Sequence, residues 1–243
     1  MSQIVREATE RWALKNFYCV SCGSSLESYS ANTSVYDFRS PECHEKFQLK
    51  ASKKPFGTKV LDSEYNMALN SVMKNEFPSL ILLHYDPTIW KVRDLGVVHR
   101  ACITPSCIIP RKPLTSKAER AGWQGCLISL SEVPALGRID VVKNGVEVPK
   151  SSVLKRWKDG GRLLMVEPQL RGWLADVLKC VERLFPVFTL EDVYSFEIEL
   201  AAKHPNNRNI RAKIRQQLQM LRDIGFIEFL DRGLYRRTTT NAE

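Results

Sequence analysis

Seven residues, Ser79-Leu-Ile-Leu-Leu-His-Tyr85, form an almost unbroken apolar run. A run this short, apolar at odd and even positions alike, reads as a strand buried on both faces. Such a strand must be covered above and below, so the sheet around it is a middle layer. Residues 46–52, Lys-Phe-Gln-Leu-Lys-Ala-Ser, alternate polar and apolar, the period of a second strand. Shorter strands are expected over residues 35–38, 97–103, 125–130 and 138–142. Helical spacing appears over residues 3–15, with Ile4, Ala8, Trp12 and Leu14 as the apolar stripe. It appears again over 64–74, with Tyr65, Ala68, Leu69 and Val72 on one face. Strands and helices in this order predict a mixed α/β fold.

The tail has a different make-up. Residues 172–185, 190–203 and 209–224 each show helical periodicity. Thr189 is placed to cap the second of these helices, with Asp192 at its third position. Phe226–Leu230, the turn Asp-Arg-Gly, and Leu234–Arg237 read as a tight hairpin. Three helices and a hairpin are the parts of a winged helix. The break is set at Pro168, giving domains 1–168 and 169–243; the final Thr-Thr-Thr-Asn-Ala-Glu is expected to fray.

In the third of these helices, Ile210, Ile214, Leu218, Leu221 and Ile224 form the core-facing stripe. Arg211, Arg215, Gln216, Gln219 and Arg222 fall outside it. Arginine and glutamine can pair with guanine and adenine edges in the major groove. Residues 203–237 hold nine Lys/Arg against three acids, and the 243-residue chain carries a net charge of +9. Both facts favour a polyanionic partner, DNA by default. A basic helix in a small protein-binding domain would carry the same charges. Seven cysteines, an odd number in a long chain, argue against a disulfide framework and for a reducing, cytoplasmic compartment. No apolar run approaches the roughly 20 residues of a membrane helix.

Cys19-x-x-Cys22 has the spacing of a zinc knuckle, two thiolates on one turn. A ribbon needs a second pair. Ser40-Pro-Glu-Cys43-His44 stands in its place, with Ser40 at one ligand position and Cys43 at the other. His44 could supply the fourth ligand, though adjacent ligands fit awkwardly. The segment reads either as a zinc site or as a former zinc loop that folds without metal. Cys102 and Cys107 read as packing residues.

Asp37 and Gln48-Leu-Lys50 form a third constellation. Positions 48 and 50 of a strand share a face, and an aspartate on the neighbouring strand could meet them. Mg²⁺-dependent nucleases need oxygen ligands and a lysine that orients the attacking water. A solvent-facing strand edge would look the same.

The order Cys-x-x-Cys, Val-Tyr-Asp37-Phe, Cys43, Phe-Gln48-Leu-Lys50-Ala-Ser-Lys resembles the catalytic core of the PD-(D/E)XK nucleases. More narrowly, it resembles the DpnI-type restriction endonucleases, whose catalytic domain carries a zinc ribbon. Ile109-Pro-Arg-Lys-Pro-Leu, Arg120-Ala-Gly-Trp123-Gln-Gly-Cys126, Thr189-Leu-Glu-Asp-Val-Tyr-Ser-Phe-Glu and Ile214-Arg-Gln-Gln-Leu-Gln-Met-Leu-Arg-Asp are similar to the same family. The resemblance runs over nearly the whole chain. It implies a PD-(D/E)XK core with a zinc-ribbon-like segment at 19–44 and a C-terminal winged helix. It also implies Mg²⁺-dependent cleavage of double-stranded DNA at GATC sites whose adenine is N6-methylated.

By position, Asp37 matches the family's metal-binding aspartate, Lys50 its catalytic lysine, and Trp123 the tryptophan that lies against the methylated adenines. An ordinary core tryptophan is the alternative for Trp123. Gln48 stands where the pattern has glutamate. Its carbonyl can still ligate Mg²⁺, but without charge, and Glu64 and Glu10 are the candidates for a compensating carboxylate. Zn²⁺, if present, would rest on Cys19, Cys22, Cys43 and His44. The expectation is a monomeric type II restriction enzyme. Two alternatives are a catalytically silent methylated-DNA-binding protein and a winged-helix transcription regulator with an unrelated first domain.

Overall fold

The computed structural model describes residues 3–28 and 36–238. Helix α1, Gln3–Asn16, opens the chain. The strands β1 (Glu27–Ser28), β2 (Phe38–Arg39) and β3 (Lys46–Ser52) follow. Then come β4 (Lys59–Glu64), α2 (Tyr65–Met73), β5 (Ser79–Asp86) and β6 (Lys91–Val98). The first part closes with β7 (Ile108–Pro110), β8 (Gly125–Ser129), β9 (Arg138–Lys143), β10 (Val146–Glu147) and α3 (Lys150–Gly161). The tail holds α4 (Pro168–Glu182), β11 (Val187–Thr189), α5 (Leu190–Tyr194), α6 (Glu197–Lys203), α7 (Ile210–Asp223), β12 (Ile227–Asp231) and β13 (Leu234–Arg237).

A seven-stranded sheet runs in the order β1-β2-β3-β5-β6-β9-β10. Only β3 and β5 are parallel, in the register Gln48↔Leu80 and Lys50↔Leu82. The apolar strand behaves as its sequence requires. Ile81, Leu83 and Tyr85 enter one core with Phe47, Leu95 and Val97, roofed by Ala13 of α1 and by Val153 and Trp157 of α3. Leu80 enters the second core on the opposite face. Each such buried aliphatic side chain contributes about 1.5–3 kcal/mol.

The second core does not stop at Pro168. Val60, Ala68, Cys102, Cys107, Cys126 and Ile128 share it with Leu174, Val177, Ile214, Leu218 and Phe226 of the tail. Polar contacts cross the same boundary. The Glu182 carboxylate of α4 accepts the backbone N–H groups of Ala135 and Leu136 at 2.8 and 2.9 Å. Arg162 Nη1 donates to the Gly225 carbonyl at 2.6 Å. Lys203 Nζ bridges Glu132 and Asp176, and Asp176 is 4% exposed. The two parts that meet near Pro168 therefore pack through one continuous core.

Several local expectations are corrected. Helix α1 exists, but Ile4 is 78% exposed and Ala8 is also exposed. Trp12 and Leu14 of the expected stripe do pack on the core, together with Val5, Thr9 and Ala13. Thr9 hides its hydroxyl by donating to the Val5 and Arg6 carbonyls, so a polar residue sits on the buried face. The strand expected over 97–103 ends at Val98. There the buried His99 ring accepts the Ala101 N–H and starts a 3₁₀ turn, Arg100–Cys102. The single helix expected over 190–203 is two, parted at Ser195–Phe196, where the Ser195 hydroxyl donates to the Asp192 carbonyl. Helix α3 buries Val153, Trp157 and Gly160, spaced four and three apart on one face. Val35, in the strand expected at 35–38, and the frayed end at 239–243 lie outside the described residues. No helix among the described residues is long and apolar enough to cross a membrane.

Candidate active site and cysteine cluster

Strand β2 pairs with β3 only at Phe38↔Phe47 and Arg39↔Lys46. Beyond that point Asp37 takes over from the ladder: its Oδ2 accepts the Leu49 N–H at 2.7 Å, and its own N–H donates to the Phe47 carbonyl. Along this edge runs a cleft of about 640 Å³, lined by Arg6, Thr9 and Glu10 of α1, by Asp37, and by Gln48, Lys50 and Ala51 of β3. The three residues of the sequence pattern thus meet in one place.

The cleft is electrostatically mixed. Arg6 holds Glu10 at 2.6 Å and stands 3.6 Å from Asp37 Oδ1. Burial pushes the Asp37 carboxyl above the usual aspartate range, and the Glu10 charge adds to this. The Leu49 N–H and the Arg6 and Lys50 cations pull the other way. Gln48 Oε1 is buried with no hydrogen-bond partner. Lys50 Nζ donates to Asp62 Oδ1 of β4 at 2.6 Å, and Asp62 is a residue that sequence reasoning missed. Its one signal is the alternation of β4, in which Val60 and Asp62 are both buried. Of the two carboxylates considered for compensation, Glu10 lines the cleft and Glu64 does not line it. Both Glu64 oxygens cap α2, accepting from Asn66 N at 3.0 Å and Met67 N at 2.6 Å.

The ligand atoms of Cys19, Cys22 and Cys43 lie within 4.8 Å of one another. His44 is not in this group. Its backbone is left-handed, φ 59°, in the turn after Cys43, and its side chain is exposed. Ser40 is the nearer fourth group, its hydroxyl 3.3 Å from Cys22 Sγ. Burial pushes the Cys19 thiol up to about 12. Burial also raises Cys22, but the Ser24 and Ser40 hydroxyls and the Ser24 N–H outweigh it and bring that thiol down to about 6. A cluster of three thiols with one already acidic is compatible with zinc. Cys102 and Cys107 are fully buried packing residues.

In the tail, α4, β11, the α5–α6 pair, α7 and the β12–β13 hairpin form a winged helix, with a three-stranded sheet in the order β11-β13-β12. Arg211, Arg215, Gln216, Gln219 and Arg222 are exposed on α7, opposite the buried Ile214, Leu218 and Leu221. Arg215 Nη1 donates to the Tyr194 hydroxyl at 2.7 Å, and Arg211 lies over the same ring while pairing with Glu197.

The family comparison agrees with this architecture. Residues 1–165 match the model of the DpnI (Dam-replacing) family, and residues 169–237 match its Dam-replacing helix-turn-helix domain. The chain belongs to the DpnI family. Membership implies a methyl-directed restriction endonuclease whose C-terminal domain binds DNA.

Trp123 of this family member precedes β8 and belongs to neither hydrophobic core. Its ring is partly buried, with the Arg120 guanidinium 5.0 Å above it. It also lies so close to Gly125 that a Cβ there would come within 2.8 Å of the ring. The loop leading to it carries Arg111, Lys112, Lys117 and Arg120. Trp123 is thus a half-buried aromatic in a basic loop.

Proposed function

We propose that this chain is a methyl-directed type II endonuclease with a PD-(D/E)XK core. It hydrolyses DNA phosphodiesters at N6-adenine-methylated GATC sites with Mg²⁺. The observation that carries the reading is the meeting of Asp37, Gln48 and Lys50 in one cleft at the free edge of β3. The donors fit a hard cation: Asp37 and Glu10 carboxylates, and the Gln48 carbonyl, a buried oxygen without a partner. Bound there, Mg²⁺ would stabilise charge on the phosphate and lower the pKa of a water. Lys50, whose ammonium sits at the cleft wall, would orient the attacking water. Exposed α7 arginines and glutamines engage the duplex, and Trp123 offers its ring to the adenine methyl. Cys19, Cys22 and Cys43 would hold a structural zinc, their thiolates being soft donors that suit it.

A second reading, a protein that binds methylated DNA without cutting it, is favoured by one observation: Gln48 lacks the charge of the family's glutamate. A regulator with an unrelated first domain is disfavoured by the match over residues 1–165. Incubating adenine-methylated and unmethylated plasmid with the protein and Mg²⁺ separates the two remaining readings. Cutting confined to methylated DNA and abolished by Lys50→Ala supports the enzyme. Methyl-dependent retention without cutting supports the binder.

A further inference from the structure

Phe47, Leu49 and Ala51 face or pack against the core beneath α1, so Gln48 and Lys50 project from the other side of β3. On that side stands β4, in a separate small sheet ordered β4-β8-β7. Its pairing with β8 is regular through Leu61↔Leu127 and resumes at Glu64↔Gly125 after a shift of register. Asp62 lies within this irregularity, the kind that re-aims a side chain. Its side chain is 0% exposed; Oδ1 holds Lys50 Nζ at 2.6 Å, and Oδ2 has no partner.

A carboxylate walled off from water with a single partner is costly unless that partner is charged. Lys50 is therefore what keeps Asp62 inside, and Asp62 in turn fixes where the ammonium sits. Lys50 lines the cleft while its side chain is only 18% exposed, whereas Asp62 is not among the residues lining the cleft. The ammonium is thus tethered at the wall. Released, it would be free to move toward the Asp37 carboxylate, whose charge it already feels, and compete with a divalent cation for it. In this chain, where Gln48 contributes no charge, that competition would count more.

We propose that Asp62 is a positioning residue: it holds the Lys50 ammonium against the cleft wall, near the reacting groups but out of the cation's oxygen cradle. The inference rests on the nuclease reading above and adds a residue to it. Its test uses the full chain, calcium as a non-cleaving probe, and titration calorimetry. Asp62→Asn weakens calcium binding about tenfold, and the double variant Asp62→Asn with Lys50→Met returns it to within about threefold of wild type. Asp62→Glu keeps most of the wild-type affinity. With methylated plasmid and Mg²⁺, Asp62→Asn lowers kcat and leaves the KM for DNA in place.

Unchanged calcium affinity in folded Asp62→Asn overturns the inference. So does a double variant that binds calcium as weakly as Asp62→Asn alone, since Asp62 would then be a ligand itself. If Asp62→Asn does not fold, the double variant decides: affinity near wild type supports positioning, and a large loss contradicts it. A wild-type protein that neither binds calcium nor cuts overturns the nuclease reading and the inference together. Wild type that does both, with Asp62→Asn unaffected, overturns the inference alone.

Discussion

At the scale of single residues, the cleft turns on one atom. Gln48 Oε1 is a buried acceptor without a donor, where the family pattern has a carboxylate. Gln48→Glu adds a negative charge beside Asp37 and Glu10. The Mg²⁺ needed for half-maximal cutting should fall, on the order of tenfold, if the site is intact but short of charge. A rise in that concentration would mean that Glu10 already supplies the charge and that carboxylates now crowd. Away from the cleft, His99 is a buried residue of another kind. Burial lowers its pKa from 6.5 to about 3, and the Arg100 and Arg171 charges add to this. The folded value lies below the unfolded one, so His99's contribution is fully present above about pH 6.5. It is lost as pH falls from there through about 3, where the folded ring protonates. His99→Asn, which keeps an acceptor for the Ala101 N–H, should flatten that acid limb in denaturant titrations between pH 7 and 4. An unchanged limb would place the acid sensitivity elsewhere.

At the scale of elements, much of the fold is legible in the sequence, and the failures have physical causes. The apolar run of β5 and the stripe of α7 are strong signals because both elements bury most of their apolar side chains, and the alternation of β3 shows because Phe47 is buried and Leu49 and Ala51 pack on the same core. The buried face of α1 is masked because Thr9 hides its hydroxyl in the helix's own carbonyls, and Ile4 lies in the solvent-exposed first turn. The strands β1, β7, β10 and β11 are two or three residues long, too short to show a period. Asp37, Gln48 and Lys50 are legible from their spacing and the resemblance. Asp62 is not, because its partner is twelve residues away on another sheet. Glu64 is a candidate metal ligand by sequence, and its geometry gives it a different job. Glu64→Ala should lower the melting temperature slightly through the lost α2 cap. Calcium affinity should not change; a weakened one would return Glu64 to the cleft.

At the scale of the molecule, the winged helix is not a module on a tether. Leu174, Val177, Ile214 and Leu218 complete a core that begins with Val60 and Ala68. Glu132 joins the two parts by pairing with Lys179 and Lys203 of the tail, and Lys203 also holds the buried Asp176, which His204 Nε2 contacts at 2.9 Å. Removing one partner from such a network leaves an uncompensated charge. Thermal unfolding of the full chain should therefore give one transition, coincident by circular dichroism and tryptophan fluorescence. A chain ended at Glu167 should expose its half of the core and fail to fold alone. Two separate transitions, or a folded soluble 1–167, would show that the shared core does not couple the parts.

Whether Asp37, Gln48 and Lys50 cut DNA is a chemical question that a single digest answers. Plasmid carrying N6-methyladenine at GATC, and the same plasmid without it, are incubated with the full chain and Mg²⁺, in parallel with Lys50→Ala. The expected result is cleavage of the methylated plasmid only, lost in Lys50→Ala, with retention of methylated DNA by that variant undiminished. Methylated plasmid left whole by the wild-type protein in either Mg²⁺ or Mn²⁺, while still bound in preference to unmethylated DNA, would contradict the enzyme reading and leave a methyl-specific binding protein.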